Sequence, residues 1–364
     1  MKAGLSIIIP FAGEYPQVLF TIQATAQIFL DRGFPFEIIA VNNYCDQLVG
    51  QARRIAGKKM LEFLKGTEQE GCIESFTPED ILDLVKAIPP VWEDRSGAAI
   101  KASAGKNPWL KYVEYKDKLS HWQAKRVGVE QSEYDTLLFL DAHVVPTPTL
   151  AAMFYQYRYD KAHGFSNGTG LSRNISPYFW DIGTMHMPLT YKILEWRKII
   201  YKIVFEAPHF WTYSFTGFKN CSTPYEVPCM STCGMMISRH IYDAVGGWPK
   251  SLGIYGGGEN FMNYTLAVCG YKKFIYPHAT LFHHGERRDY HYEYDDTLYN
   301  RMLAHYLFGG TKWLELFARH SKGNRNAIDI MKMNIMDMEK EHRDKIASIQ
   351  KYDIEEWADD WIKQ

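Results

Sequence analysis

The chain predicts an α/β protein, a mixed sheet flanked by helices, with a helical insertion and a helical C-terminal extension. Three observations lead there. The apolar run Leu5 to Pro10, a helical stretch from Pro16 to Arg32 and a second apolar run from Phe36 to Val41 have the order of a βαβ unit. A later apolar run, Leu137 to Leu140, ends in Asp141-Ala142-His143, with Pro146 and Pro148 just beyond to stop it. From Asn326 onward the chain is charged and has an apolar stripe at helical spacing, Ile328, Met331, Ile335 and Met338.

Taken in order, Asn42, Asn43 and Asp46 follow the second strand at its carboxyl end, where open α/β sheets bind nucleotides. From about Gln47 to Asn107 the pattern changes to a charged helix, a break at Gly71, a short helix from Pro78 to Ala87 and a loop punctuated by proline and glycine. This reads as an insertion. The sheet resumes at Trp109 to Tyr115, a helix spans Ser120 to Gln131, and the strand carrying Asp141 and His143 follows. Residues i and i+2 of an extended strand point to one side, so these two side chains are placed to share one metal ion. Beyond it come a helix from Thr149 to Lys161, a strand from Phe165 to Arg173 and an aromatic stretch from Ser176 to Tyr225. A strand from Met230 to Ser238, a helix from Glu259 to Cys269 and one or two strands within Lys272 to Phe282 complete the reading.

With 46% apolar residues, 41 basic against 42 acidic side chains and 364 residues, the chain is long enough for one large domain with attachments, or two. A net charge of −1 gives no global attraction to nucleic acid. No run approaches the roughly 18 apolar residues of a membrane span, and the first strand begins at Leu5 with no leader before it, so a cytoplasmic protein without a membrane segment is expected. The six cysteines show no metal-finger spacing and read as reduced thiols.

Four blocks resemble a family: nucleotide-sugar glycosyltransferases of the GT-A (Rossmann-like) fold, those of family 2 and the polypeptide N-acetylgalactosaminyltransferases. Ser6-Ile7-Ile8-Ile9-Pro10 with Glu37 to Asn43 is similar to the family's nucleotide-binding βαβ, and Leu138 to His143 to its metal strand in the Asp-x-His (DxH) form. Met230 to Ser238 with Gly246-Gly247 resembles the acceptor-side strand and turn. Gly257-Gly258-Glu259-Asn260, followed by Cys269-Gly270, Pro277 and His283, resembles the Gly-Gly-Glu-Asn segment and a late metal-binding histidine. The resemblance implies a GT-A domain over 1–290, with the insertion at about 47–107, and a helical extension over 291–364.

It also implies roles. Asp141, His143 and His283 hold the metal, manganese or magnesium; one carboxylate oxygen with two imidazoles suits manganese better than calcium. A divalent ion is needed because charge grows on the diphosphate as the sugar leaves. Pro10, Asn42, Asn43, Asp141, Arg126 and Arg287 face the donor; of the adjacent Lys125 and Arg126 only one faces it, and Arg287 has the fork for a diphosphate. Glu259 and Asn260 are the catalytic pair. Relatives place Asp where this chain has Asn42 and Asn43, so UDP is the favoured nucleotide rather than a fixed one. Inverting relatives place an Asp base at the position of Asn260, and an amide cannot take up that proton. Retention is therefore favoured, with the leaving phosphate accepting the proton; a base role for Glu259 is the alternative.

The expected function is a metal-dependent hexosyltransferase that moves a sugar from a UDP-sugar to an acceptor hydroxyl on a small molecule, glycan, protein or modified DNA. Two alternatives stand beside it. One is a DNA-modifying enzyme acting on a hydroxymethylated base, with Tyr178, Phe179, Trp180, Trp211, Tyr213 and Phe215 stacking and Arg287-Arg288 and Arg319 to Arg325 lining a groove. The other is a non-catalytic nucleotide-sugar-binding protein. Without the resemblance, His278, His284 and His291 beside His283 would suggest a zinc cluster, and the aromatic residues would as readily seal a core.

Overall fold

Strand β1 (Lys2–Phe11) is covered on both faces, with Leu5, Ile7, Ile8 and Ile9 wholly buried, as an interior strand of a parallel sheet requires. This computed structural model describes residues 1–51, 94–155, 178–181, 225–227, 230, 232–283 and 292–363. Parallel partners flank β1 on both sides: β2 (Phe36–Asn42) with Ile7 opposite Ile38, and β4 (Tyr134–Phe139) with Ile7 opposite Leu138. The next strand outward is β3 (Leu110–Glu114), parallel to β2. Beyond β4 the direction changes. β8 (Met235–Ser238) runs antiparallel to β4 and to β6 (Tyr178–Asp181), and β9 (Lys273–His283) runs parallel to β6. β5 (Val144–Pro146) and β7 (Tyr225–Val227) both pair antiparallel with β9, giving the order β3-β2-β1-β4-β8-β6-β9-β5 with β7 on β9. The expected α/β class, a mixed sheet flanked by helices, is the one observed.

Helices close the faces. α1 (Gln17–Leu30) buries Val18, Ile22, Ala26 and Phe29, one helical stripe. α3 (His121–Glu130) is capped by the Ser120 hydroxyl, which accepts from Gln123 N. It lies close on the sheet because Gly128 has no side chain; a methyl there would stand 2.5 Å from Ile8 Cγ2. Beyond β8 come α4 (Arg239–Ala244), α5 (Gly258–Val268), α6 (Tyr294–His320) and α7 (Arg325–Met338). α8 (Lys340–Ile349) and α9 (Ile354–Lys363) end the chain.

Several expectations change. The end of the insertion, read as a loop, contains the helix α2 (Arg95–Ala104), which Asp94 starts by accepting from Gly97 N. The metal strand is shorter than its apolar run: Leu140 N still donates to Ile8 O, but Ala142 and His143 form a turn before β5. Asp141 and His143 are therefore not i and i+2 of one extended strand. The Gly71 break, the Pro78 helix, the Phe165 strand and the residues Trp211, Tyr213 and Phe215 lie outside the described residues. In the tail stripe Ile328 and Ile335 are buried and Met331 packs on the core, while Met338 is exposed.

The extension shares the sheet's hydrophobic core, to which Leu298, Met302, Trp313, Ile328, Ile346 and Ile354 all belong. α6 kinks at Gly310 (φ 73°), and Arg343 Nη1 donates to Leu307 O beside the break. Among the described residues no helix is long and apolar enough to cross a membrane.

Candidate active site

The carboxyl ends of β1, β2 and β4 meet at one edge of the sheet, where α/β folds gather ligands. Pro10 stands there, opposite Val41. Asn42 and Asn43 follow, but both amides are used inside the protein. Asn42 Nδ2 donates to Asp94 Oδ2 at 2.6 Å and to the Tyr112 hydroxyl at 2.9 Å, while its Oδ1 accepts from Tyr44 N. Gly97 permits this approach, since a methyl there would sit 2.2 Å from Asp94 Oδ2. Asn43 Nδ2 donates to Tyr115 O and Lys118 O, each at 2.9 Å, and its Oδ1 accepts from Ser120 N. One asparagine thus draws a carboxylate to the strand end, and the other fastens the loop that leads into α3.

Asp141 lies just past β4 with its carboxyl about one-fifth exposed, and a lysine and a histidine converge on it. Lys125 Nζ is 3.6 Å from Oδ1, and His121 Nε2 is 3.4 Å from the same oxygen. Lys125 is fully buried; its ammonium stands 5.2 Å from the Trp122 ring centroid and donates to Thr232 Oγ1 at 3.3 Å. Thr232 in turn donates to Glu259 Oε1 at 3.2 Å. A hydroxyl carries one proton and two lone pairs, so Thr232 can accept from the lysine and donate to the carboxylate together. The two acidic residues singled out in the sequence are therefore joined through Lys125 and Thr232. Cys233 packs against the same group, and burial, with the Asp141 charge next, pushes its thiol well above the ordinary range.

Of the neighbouring basic residues, Lys125 faces Asp141. Arg126 turns away from it: its Nε donates to Gln123 Oε1 at 2.9 Å and its guanidinium pairs with Glu130. Sequence spacing alone leaves the two undecided because both lie on α3, one residue apart. Nothing in the sequence singled out His121 or Thr232. The nearest signal is the Ser120 cap, which fixes His121 as the first residue of α3.

Glu259 occupies the first turn of α5, where a carboxylate is favoured by the helix dipole. One left-handed residue and one close approach bring it there. Gly257 caps the helix at φ 72°, in the left-handed region, and a methyl on Gly258 would stand 2.4 Å from the Trp122 ring. Asn260, the next residue, is 4% exposed and belongs to the buried face of the helix.

His143 sits in the turn after Asp141, which α1 secures: Thr21 Oγ1 donates to Ala142 O at 2.9 Å and to Val144 O at 2.7 Å. The β5–β9 pairing sets His283 opposite Val144, one residue beyond His143. The backbone thus brings Asp141, His143 and His283 to one edge, and that donor set fits manganese. Among the described residues no three His, Cys, Asp or Glu side chains gather as a metal site. Arg287 and Arg288, with His284 and His291, lie outside the described residues. At the other basic cluster, the Arg325 guanidinium is occupied with Ala318 O and Arg319 O at the end of α6.

No family model and no curated protein sequence matches the chain. Solved structures are similar in fold. GalNAc-T7 with UDP, GalNAc and Mn2+ is 13% identical with a TM-score of 0.46, over 92% of this chain and 56% of its own. The mannosyltransferase PcManGT from Pyrobaculum calidifontis, in complex with GDP-Man and Mn2+, is 11% identical with a TM-score of 0.41, over 96% and 74%. S. aureus TarS 1-349 with UDP-GlcNAc is 8% identical with a TM-score of 0.43, over 93% and 73%. This chain thus spans little more than half the length of the first. All three TM-scores lie below 0.5.

Proposed function

We propose that this protein is a metal-dependent glycosyltransferase that transfers a hexose from a UDP-sugar to an acceptor hydroxyl. The observation that carries the reading is the buried chain of contacts Asp141, Lys125, Thr232, Glu259 at the carboxyl end of the central strands. A donor diphosphate needs positive charge beside it, and a sugar needs a hydrogen-bonding acid; both stand within this one group.

Asp141, His143 and His283 would hold the ion, manganese or magnesium, which supplies charge neutralisation to the departing diphosphate. The chain's own residues do the rest. Lys125 holds Asp141 in place from within the protein, at 3.6 Å, and adds a fixed positive charge where negative charge develops. Glu259, held by Thr232, accepts hydrogen bonds from the sugar hydroxyls and orients the ring. Asn260 offers an amide where an inverting enzyme needs a base, so retention is the favoured course. The bond from the sugar carbon to the diphosphate breaks, that carbon bonds to the acceptor oxygen on the same face, and the acceptor proton passes to the departing phosphate oxygen. Pro10, Asn42 and Asn43 shape the nucleotide end, the two asparagines through Asp94 and the loop before α3. Arg287 is assigned to the diphosphate on its place in the sequence, and Arg126 contributes by holding the face of α3.

We place the enzyme in the cytoplasm; the buried free thiols Cys45, Cys233 and Cys269 support a reducing compartment. The acceptor class stays open between a small molecule, a glycan, a protein and a hydroxymethylated base in DNA. A specific observation favours a second reading, a nucleotide-sugar-binding protein without chemistry: Asn42 and Asn43 are spent on internal bonds and Asn260 is buried. Donor consumption without acceptor separates the two. Slow hydrolysis of a UDP-sugar supports the transferase; tight UDP-sugar binding with no hydrolysis over hours supports the binding protein.

A further inference from the structure

We infer that Asn300 is a positioning residue for this reaction, holding the loop Gly253–Gly257 so that α5 starts where Glu259 meets Thr232. The inference rests on the reading of Glu259 as a group that meets the transferred sugar.

Asn300 lies on α6, in the C-terminal extension, and is wholly buried. Its Oδ1 accepts from Gly253 N at 2.7 Å, and its Nδ2 donates to Tyr255 O at 2.8 Å and to Gly256 O at 3.1 Å. Three of the four hydrogen bonds that an amide side chain can make are thus spent on one short loop. The loop needs an outside clamp. Gly256 and Gly257 both have positive φ, 76° and 72°, and glycine backbone loses the most freedom on ordering. The fit is also close: a methyl at Gly257 would stand 2.4 Å from the Asn300 carbonyl oxygen, so loop and helix backbone touch.

The opposite side of the loop is fixed by α3. Ser120 Oγ donates to Leu252 O at 3.1 Å and to Gly253 O at 2.8 Å, and Gln123 Nε2 donates to Pro249 O at 2.6 Å. α3 also carries His121 and Lys125, which flank Asp141. The loop is therefore gripped between the helix that bears the fixed cation and the extension, and its last residue caps the helix that bears Glu259. Both donors of the Asn300 amide are aimed at the two carbonyls just before that cap.

The test compares the full chain with Asn300→Ala, Asn300→Asp and a stability control, Ile346→Ala, which opens the core under α8 away from the loop. Three quantities are read where all variants are folded: kcat for UDP release from a UDP-sugar, Kd for UDP, and amide exchange over residues 253–261. Asn300→Ala is expected to lose about 100-fold in kcat, the scale of a 1 Å misplacement. UDP binding should stay within about two-fold, and exchange over 253–261 should quicken. Asn300→Asp keeps the volume but turns a carboxylate oxygen toward two carbonyls, so it should lose kcat equally. A kcat for Asn300→Ala no lower than that of Ile346→Ala, or unchanged exchange over the loop, overturns the positioning role alone. A wild-type chain that consumes no donor overturns the proposed function, and this inference with it.

Discussion

The Lys125 ammonium lies 3.6 Å from Asp141 Oδ1, fully buried, while its partner is one-fifth exposed. The cation is therefore built into the protein rather than recruited from solvent. Removing it takes the buried ammonium away from the Asp141 carboxylate, which His121 Nε2 also approaches at 3.4 Å. Lys125→Met is expected to cost about 2–3 kcal/mol of stability, below the range for a wholly buried pair because Asp141 keeps some contact with water. It should also slow donor consumption more than Arg126→Ala, whose guanidinium is directed at Gln123 and Glu130. Urea denaturation and UDP release measure the two effects.

Asn43 is held by partners that an acid could not use. Its Nδ2 faces the carbonyls of Tyr115 and Lys118, and it is 2% exposed. Asn43→Asp would aim a carboxylate oxygen at both carbonyls and is expected to destabilise by roughly 2–4 kcal/mol. Asn42→Asp would set a second carboxylate against Asp94, now 2.6 Å from the amide. Both losses should appear as a lowered urea midpoint with an unchanged slope.

Much of this was legible beforehand, and the reasons differ by element. The βαβ opening follows from Ile7, Ile8 and Ile9 against Ile38 and Ile39, a continuous apolar pattern that a parallel interior strand demands. The α3 cap follows from Ser120. The turn at Ala142–His143 was not legible, because Thr21, which ties it down, is 121 residues from Ala142 along the chain. Thr232 and Asn300 were hidden for the same reason: a threonine or an asparagine shows its role only through partners that folding brings near. α2 was hidden because Gly97 weakens a helix by propensity yet is required for the Asn42–Asp94 contact.

The glycines before Glu259 are not interchangeable with alanine. A methyl on Gly258 would stand 2.4 Å from Trp122, a ring itself packed 5.0 Å from Trp248. Gly258→Ala should cost about 1–3 kcal/mol through overpacking. Gly257→Ala should cost more, because φ 72° adds backbone strain to the clash with Asn300 O. Thermal unfolding of the two variants side by side orders them.

Stability should fall in acid through His305. Burial, with no exposed surface, holds its imidazole at about 3, against 6.5 in the unfolded chain; Arg301 O accepts at Nδ1 and the ring stacks 4.2 Å from Phe317. Below pH 6.5 the unfolded chain takes up a proton that the folded one refuses, so the contribution present above 6.5 is lost as pH falls toward 3. The loss approaches about 1.4 kcal/mol per pH unit within that window. Glu339 acts in the same direction: burial raises its carboxyl, but His342 and Ser251 outweigh that and leave it below its ordinary value. His305→Phe should flatten the profile from pH 6 to 4 relative to wild type, measured by urea unfolding at each pH.

The most direct measurement is UDP release from a panel of UDP-sugars, with and without manganese, for the wild type and for Asp141→Ala. Release that requires manganese and disappears in Asp141→Ala is the expected result, and it names the donor. Release at an equal rate in Asp141→Ala, or from no UDP-sugar at all, contradicts a metal-dependent transferase built around Asp141.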